Sequence, residues 1–71
     1  MSWVDCKDEL PQKGYWVRAE VVFVENDGSL VYPYIREFCW TGFTFRAGRV
    51  CVSPTGRLMR VTKWKYIKTP D

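Results

Sequence analysis

Seventy-one residues with a formal net charge of +3 suffice for one small domain over residues 1–71 and leave no room for a second. Four Trp, four Tyr and four Phe supply the bulk that so short a chain needs for a core, and the aliphatic residues are mainly Val, with only two Ala, three Leu and two Met, which points to strands. No run is long enough for a membrane span and no basic-then-apolar leader opens the chain, so an intracellular, cytoplasmic product is expected with no membrane partner.

The stretch Trp3-Val4-Asp5-Cys6-Lys7-Asp8-Glu9-Leu10-Pro11 lacks β alternation. Asp5 suits an N-cap and Pro11 a stop, so a short helical turn is expected between them. From Tyr15 to Glu25 the chain alternates. Tyr15, Val17, Ala19, Val21 and Phe23 point one way, and Trp16, Arg18, Glu20, Val22 and Val24 the other.

Asp27-Gly28 is a strong hairpin signal. With those two as the loop, Phe23 faces Tyr32, Val21 faces Tyr34, Val17 faces Phe38 and Tyr15 faces Trp40, while Arg18 meets Glu37 on the opposite face. A second tight turn at Thr41-Gly42 would set Trp40 opposite Phe43, Phe38 opposite Phe45 and Glu37 opposite Arg46. That register builds an Arg18–Glu37–Arg46 ladder.

Beyond Phe45, Ala47-Gly48 reads as either a third turn or a bulge in one longer strand. Ser53-Pro54-Thr55-Gly56 is a turn, with Gly56 where positive φ is wanted. The last strand, from about Arg57 to Trp64, has two registers: one puts Met59 and Val61 on the core face, the other Leu58. The expected fold is mostly β: a single antiparallel meander of four or five strongly twisted strands, barrel-like if it curls, with a short N-terminal helical turn. Its aromatic face needs a cover: the sheet's own curvature, the segment bearing Trp3 and Leu10, or a second copy of the chain.

Chemistry is sparse. The chain has no histidine, which removes the commonest general base and metal ligand together. Cys6, Cys39 and Cys51 lack metal-type spacing, lack a companion base and suit a reducing compartment as free thiols. The acids are accounted for by caps, turns and solubility. No catalytic residue, metal site or cofactor is expected, and the protein reads as a binder and not an enzyme.

Charge is divided unevenly: residues 1–37 hold four basic residues against seven acids, and residues 38–71 hold seven against one. The candidate binding residues are Trp16, Arg18, Arg46 and Arg49 on the polar face, joined by Arg60 in one register of the last strand. Arginines interleaved with an aromatic across a sheet can stack bases and contact phosphates, which makes single-stranded nucleic acid the alternative partner. An ordinary solvated face paired with Glu20 and Glu37 explains the same residues.

The two ends carry a resemblance. Trp3 to Pro11, followed by a Val-rich strand, and Val61-Thr62-Lys63-Trp64 near the close resemble a short phage and prophage family of unknown function. Its members open with Trp-hydrophobic-x-x-x-Asp-x-Leu-Pro and close on a Val-Thr-His-Trp strand. Lys63 stands here in place of the histidine, so no role of that histidine carries over. The resemblance implies context only, a small phage-type accessory protein in a bacterial host cell, and brings no activity with it. Together with the lack of catalytic equipment, that context makes a protein that binds and inhibits a host protein machine the leading expectation, with anti-CRISPR or other anti-defence action its most concrete form. A self-associating assembly protein, such as a homodimer, is the third reading. Trp3 and Trp64 are expected to pack together and staple the termini, with Leu10 and Pro11 beside them.

Overall fold

The computed structural model describes residues 2–68 and 70. Six strands form one antiparallel sheet: β1 (Val4–Asp5), β2 (Trp16–Val24), β3 (Leu30–Trp40), β4 (Phe45–Ala47), β5 (Val50–Val52) and β6 (Met59–Tyr66). The spatial order is β1-β6-β2-β3-β4-β5. The run from β2 to β5 is the expected meander, and β6 then returns to the free side of β2. Curvature makes this return possible: the Val61 N–H donates to the Ser53 carbonyl just beyond β5, at 3.1 Å. The sheet curls towards a barrel but stays open.

The β2–β3 hairpin holds the expected register from Trp16↔Cys39 through Val17↔Phe38 and Arg18↔Glu37 to Val21↔Tyr34. Nearer the loop it differs. The Glu25 N–H donates to the Ser29 carbonyl and the Gly28 N–H to the Glu25 carbonyl, both at 2.9 Å. The loop is therefore three residues, Asn26 to Gly28, with Gly28 at φ +86° closing it as the left-handed residue. Phe23 consequently faces Val31 instead of Tyr32. An extra residue at Tyr32-Pro33 then restores the original pairing, with Tyr32 at φ +53°. Pro33 has no N–H to give a ladder, so a bulge is where a strand tolerates it.

The Thr41-Gly42 turn is displaced. The loop is Gly42-Phe43, the Thr41 N–H donates to the Thr44 carbonyl at 3.0 Å, and the pairs are Trp40↔Phe45 and Cys39↔Arg46. Thr41 Oγ1 sets this loop by accepting the N–H of Phe43 and of Thr44 at 3.3 and 3.1 Å. Phe43 does not meet Trp40 and is 84% exposed. The shift is two residues, so faces are conserved and Phe38 still packs edge-to-face on Phe45, 6.3 Å between centroids. Residues 45–52 form two strands, with Gly48-Arg49 as their loop.

In β6, Met59 and Val61 take the core side and Leu58 is 79% exposed. A bulge at Thr62 separates Val21↔Val61 from Glu20↔Lys63. It carries Lys63 outward and Trp64 into the core beside Ala19, a placement that plain alternation from Val61 would reverse.

The core is Val17, Ala19, Val21, Phe38, Trp40, Phe45, Val52, Val61 and Trp64. Each fully buried large side chain contributes roughly 1.5–3 kcal/mol, and among the described residues no polar side chain is buried with them. The N-terminal segment lies along the core's edge. Asp5 caps a single turn: its carbonyl accepts the N–H of Asp8 and of Glu9, and its Oδ1 accepts the Lys7 N–H. This turn does not become a helix, and it follows a strand (β1) that alternation did not reveal.

The stapling of the ends differs from expectation as well. Val4, and not Trp3, pairs with Trp64. The Trp64 indole N–H donates to the Glu9 carbonyl and the Gln12 N–H donates to the Tyr66 hydroxyl, each at 2.9 Å. Pro11 is buried and Leu10 is exposed. The proline, and not the leucine, is the residue withdrawn from solvent here. Gly56 is also explained differently: its φ is not positive, but a Cβ there would lie 1.9 Å from the Met59 carbonyl oxygen.

Candidate interaction face

Alternation along β2 sends Trp16, Arg18 and Glu20 away from the core, and the registers place their neighbours. Arg18 lies between Glu37 and Lys65, and Glu20 between Ile35 and Lys63, with Asp5 beyond Lys63. Trp16 is followed across the sheet by Cys39, Arg46 and Cys51. The result is one continuous outer face on the central, best-paired strands.

Trp16 is 51% exposed although it sits in a strand paired on both sides. Arg18 pairs with Glu37 at 3.6 Å and Lys63 with Glu20 at 3.8 Å. Glu20 Oε1 also accepts the Thr62 hydroxyl at 2.9 Å, which ties the β6 bulge to this face. Exposed pairs of this kind are worth about 0–1 kcal/mol. Their main effect is to hold the side chains in place.

Trp3 joins the face from the edge. The ammonium groups of Lys63 and Lys65 lie 5.3 and 4.9 Å from its ring centroid. Trp3 thus belongs to the outer face, and not to a core contact with Trp64.

The sequence-derived candidates divide into three groups. Trp16 and Arg18 are neighbours on β2, and Arg46 shares the row of Trp16 two strands away, about 10 Å. Arg46 is opposite Cys39 and not Glu37, and its Nε donates to the Gly48 carbonyl, so the three-residue charge ladder ends at Glu37. Arg49 stands apart on the β4–β5 loop. Arg60 is half-buried, donates to the Gly56 carbonyl and lines a separate shallow cleft with Asp5, Cys6, Lys7, Leu30 and Pro54. Lys63, Lys65 and Trp3 were missed because their place depends on β1–β6 and β2–β6 pairing across the length of the chain.

Cys6, Cys39 and Cys51 are free thiols. Cys39 and Cys51 flank Arg46, about 10 Å apart, beyond the roughly 7 Å Cα span of a disulfide. Burial, with the nearby Asp5 charge as a smaller cause, pushes the Cys6 thiol up to about 12 and keeps it protonated. Among the described residues no group of three His, Cys, Asp or Glu is arranged to hold a metal ion, and no helix is long and apolar enough to cross a membrane.

Fold and face together define a small, open antiparallel β domain with an aromatic and charged outer surface. No known protein family, curated protein or solved structure matches the chain.

Proposed function

We propose that this chain is a non-catalytic binding domain that recognises a protein surface through its outer face, as a phage-type accessory protein inhibiting a host machine would. The observation that carries the reading is Trp16, half exposed beside Arg18 on the central strand. Trp and Arg are the side chains most often responsible for protein–protein affinity. Trp16 is presented with little mobility to lose, since it pairs with Cys39 at the start of a strand that has a neighbour on each side. The carboxylates of Glu20 and Glu37 within the same face make it mixed in charge, which suits a protein surface better than a phosphate backbone. The phage context, with anti-CRISPR or other anti-defence action as its sharpest form, rests on the resemblance of the chain ends alone.

The test is affinity purification of the tagged protein from nuclease-treated host lysate, alongside Trp16→Ala and Arg18→Ala. A host protein retained by the parent chain and lost with both variants supports the reading. Equal recovery by all three proteins, or no recovery together with unchanged phage infection and host growth, would sink it.

Single-stranded nucleic acid is the second reading, favoured by one feature. Lys65 and Arg46 have no carboxylate within 4 Å among the described residues, and Lys65 lies on the Trp3 ring. Binding of that kind weakens steeply with salt, by a log–log slope of about −0.7 for each phosphate contacted. Fluorescence titration of Trp3 and Trp16 with oligonucleotides at several salt concentrations decides it; no quenching, or salt-independent quenching, removes it.

A further inference from the structure

The sheet has one long open edge, and its backbone pattern selects a partner. β3 is eleven residues long, yet β4 pairs with only Cys39 and Trp40. The Trp40 N–H donates to the Tyr15 carbonyl. The antiparallel register is unbroken back to Tyr34, so Tyr34, Arg36 and Phe38 also turn their backbone groups towards β2. The N–H and C=O of Ile35 and Glu37, and the C=O of Pro33, therefore point outward along an edge that nothing pairs among the described residues. The edge is bounded. The Tyr32-Pro33 bulge ends it on one side and β4 takes over at Cys39 on the other. Within it Ile35 is 59% exposed.

We propose that this edge takes the same edge of a second copy, antiparallel, with Ile35 opposite Ile35 of the second copy at the two-fold axis. Three neighbouring self-registers are available, and charge separates them. Centring on Arg36 puts two guanidinium groups face to face, and centring on Glu37 does the same for two carboxylates; like charges directly opposite oppose pairing. Centring on Ile35 pairs two exposed aliphatic side chains and sets each Arg36 beside Tyr34 of the second copy. It also forms four backbone bonds: two between the Ile35 residues, and one from each Glu37 N–H to the Pro33 carbonyl opposite. Pro33 needs no acceptor in that arrangement because it has no N–H. The pairing is isologous, as a two-fold requires. A continuous sheet of this kind places both Trp16–Arg18 faces on the same side, so the dimer presents its outer face twice. This inference does not depend on what that face binds.

Sedimentation velocity across a micromolar-to-millimolar concentration series should show the mass rising from the 8.4 kDa of one chain towards twice that value. Ile35→Lys places two ammonium groups at the axis and should restore the monomer. With Cys39 and Cys51 replaced by Ser, Ile35→Cys should cross-link on mild oxidation, since directly opposed Cα atoms lie about 5.5 Å apart. Glu37→Cys should not cross-link, because those two residues would be offset by about 14 Å along the strands. A monomer throughout the series overturns the proposal, and so does a dimer that cross-links through Glu37→Cys or survives Ile35→Lys. Capture of a strand from a different protein by this edge, with no self-association, would overturn it equally.

Discussion

Trp64 donates its indole N–H to the carbonyl of Glu9, 55 residues earlier, at 2.9 Å, while its ring packs edge-to-face on Tyr66 at 4.8 Å. One side chain thereby fills the core and fixes the entry of the N-terminal segment. Trp64→Phe removes the donor, leaves the Glu9 carbonyl without that partner and opens space beside Ala19. The expected cost is about 2–3 kcal/mol in urea unfolding. Tyr66→Phe, which deletes only the acceptor for the Gln12 N–H, should cost about 1 kcal/mol. Equal costs would mean that the indole's packing and hydrogen bond together contribute no more than the single Gln12–Tyr66 bond.

Gly56 is fixed by space and not by backbone angle. A Cβ would meet the Met59 carbonyl oxygen at 1.9 Å, and a backbone atom cannot step aside as a flexible side chain can. Gly56→Ala should therefore cost about 3 kcal/mol through displacement of the turn leading into β6. Gly28→Ala, at φ +86° with nothing within 4 Å, should cost only about 1–2 kcal/mol from left-handed backbone strain. Denaturant midpoints of the two variants check the order, and the reverse order would remove the close-approach explanation.

These glycines also show what the sequence could disclose. The β2–β3 faces were legible because apolar residues alternate over ten positions and an opposite-charge pair falls on the other face. The three-residue loop and the Tyr32-Pro33 bulge were not, because the two irregularities cancel and leave the alternation beyond them unchanged. The β3–β4 shift of two residues was hidden for a related reason: it preserves every face, so only the Thr41 hydroxyl bonds distinguish the registers. For the candidate face, Trp16 and Arg18 followed from local alternation. Lys63, Lys65 and Trp3 required a bulge in β6 and a two-residue strand at the chain's far end, both settled by non-local packing.

Asp27 gives the hairpin loop a pH dependence. The Ser29 hydroxyl and the Ser29 N–H both donate to its Oδ1, at 2.6 and 2.9 Å, and hold the exposed carboxyl below the usual carboxylate range. A carboxyl lowered on folding stabilises the fold above its unfolded pKa, about 3.9, and loses that contribution as pH falls towards the lower folded value. Asp27→Asn should therefore be less stable than the parent at neutral pH, and the gap should close in acid. An NMR titration of the side chain checks the cause directly. A midpoint at or above that of a free aspartate would refute it.

Cys6 should be the slow thiol. Its neighbour across the β1–β6 edge is the Thr62 carbonyl, which accepts the Cys6 N–H at 3.0 Å, and the side chain packs against the core cluster. With its pKa pushed up to about 12 by burial first and the Asp5 charge second, only about a thousandth of it is thiolate at pH ~9. Iodoacetamide at that pH should modify exposed Cys51 first and Cys6 at least ~100-fold more slowly than in urea, where the ordinary thiol pKa returns. Asp5→Asn should speed the native reaction only modestly, since the charge is the lesser cause. The stability linkage has the opposite sign to that of Asp27. A thiol raised on folding contributes fully below its unfolded pKa, and that contribution is lost as pH rises towards about 12. Cys6→Ala should accordingly lose less stability than the parent between neutral and alkaline pH. Mass-spectrometric mapping of the alkylated thiols reads the rates, and equal modification of Cys6 in native and unfolded protein would show that the fold does not protect it.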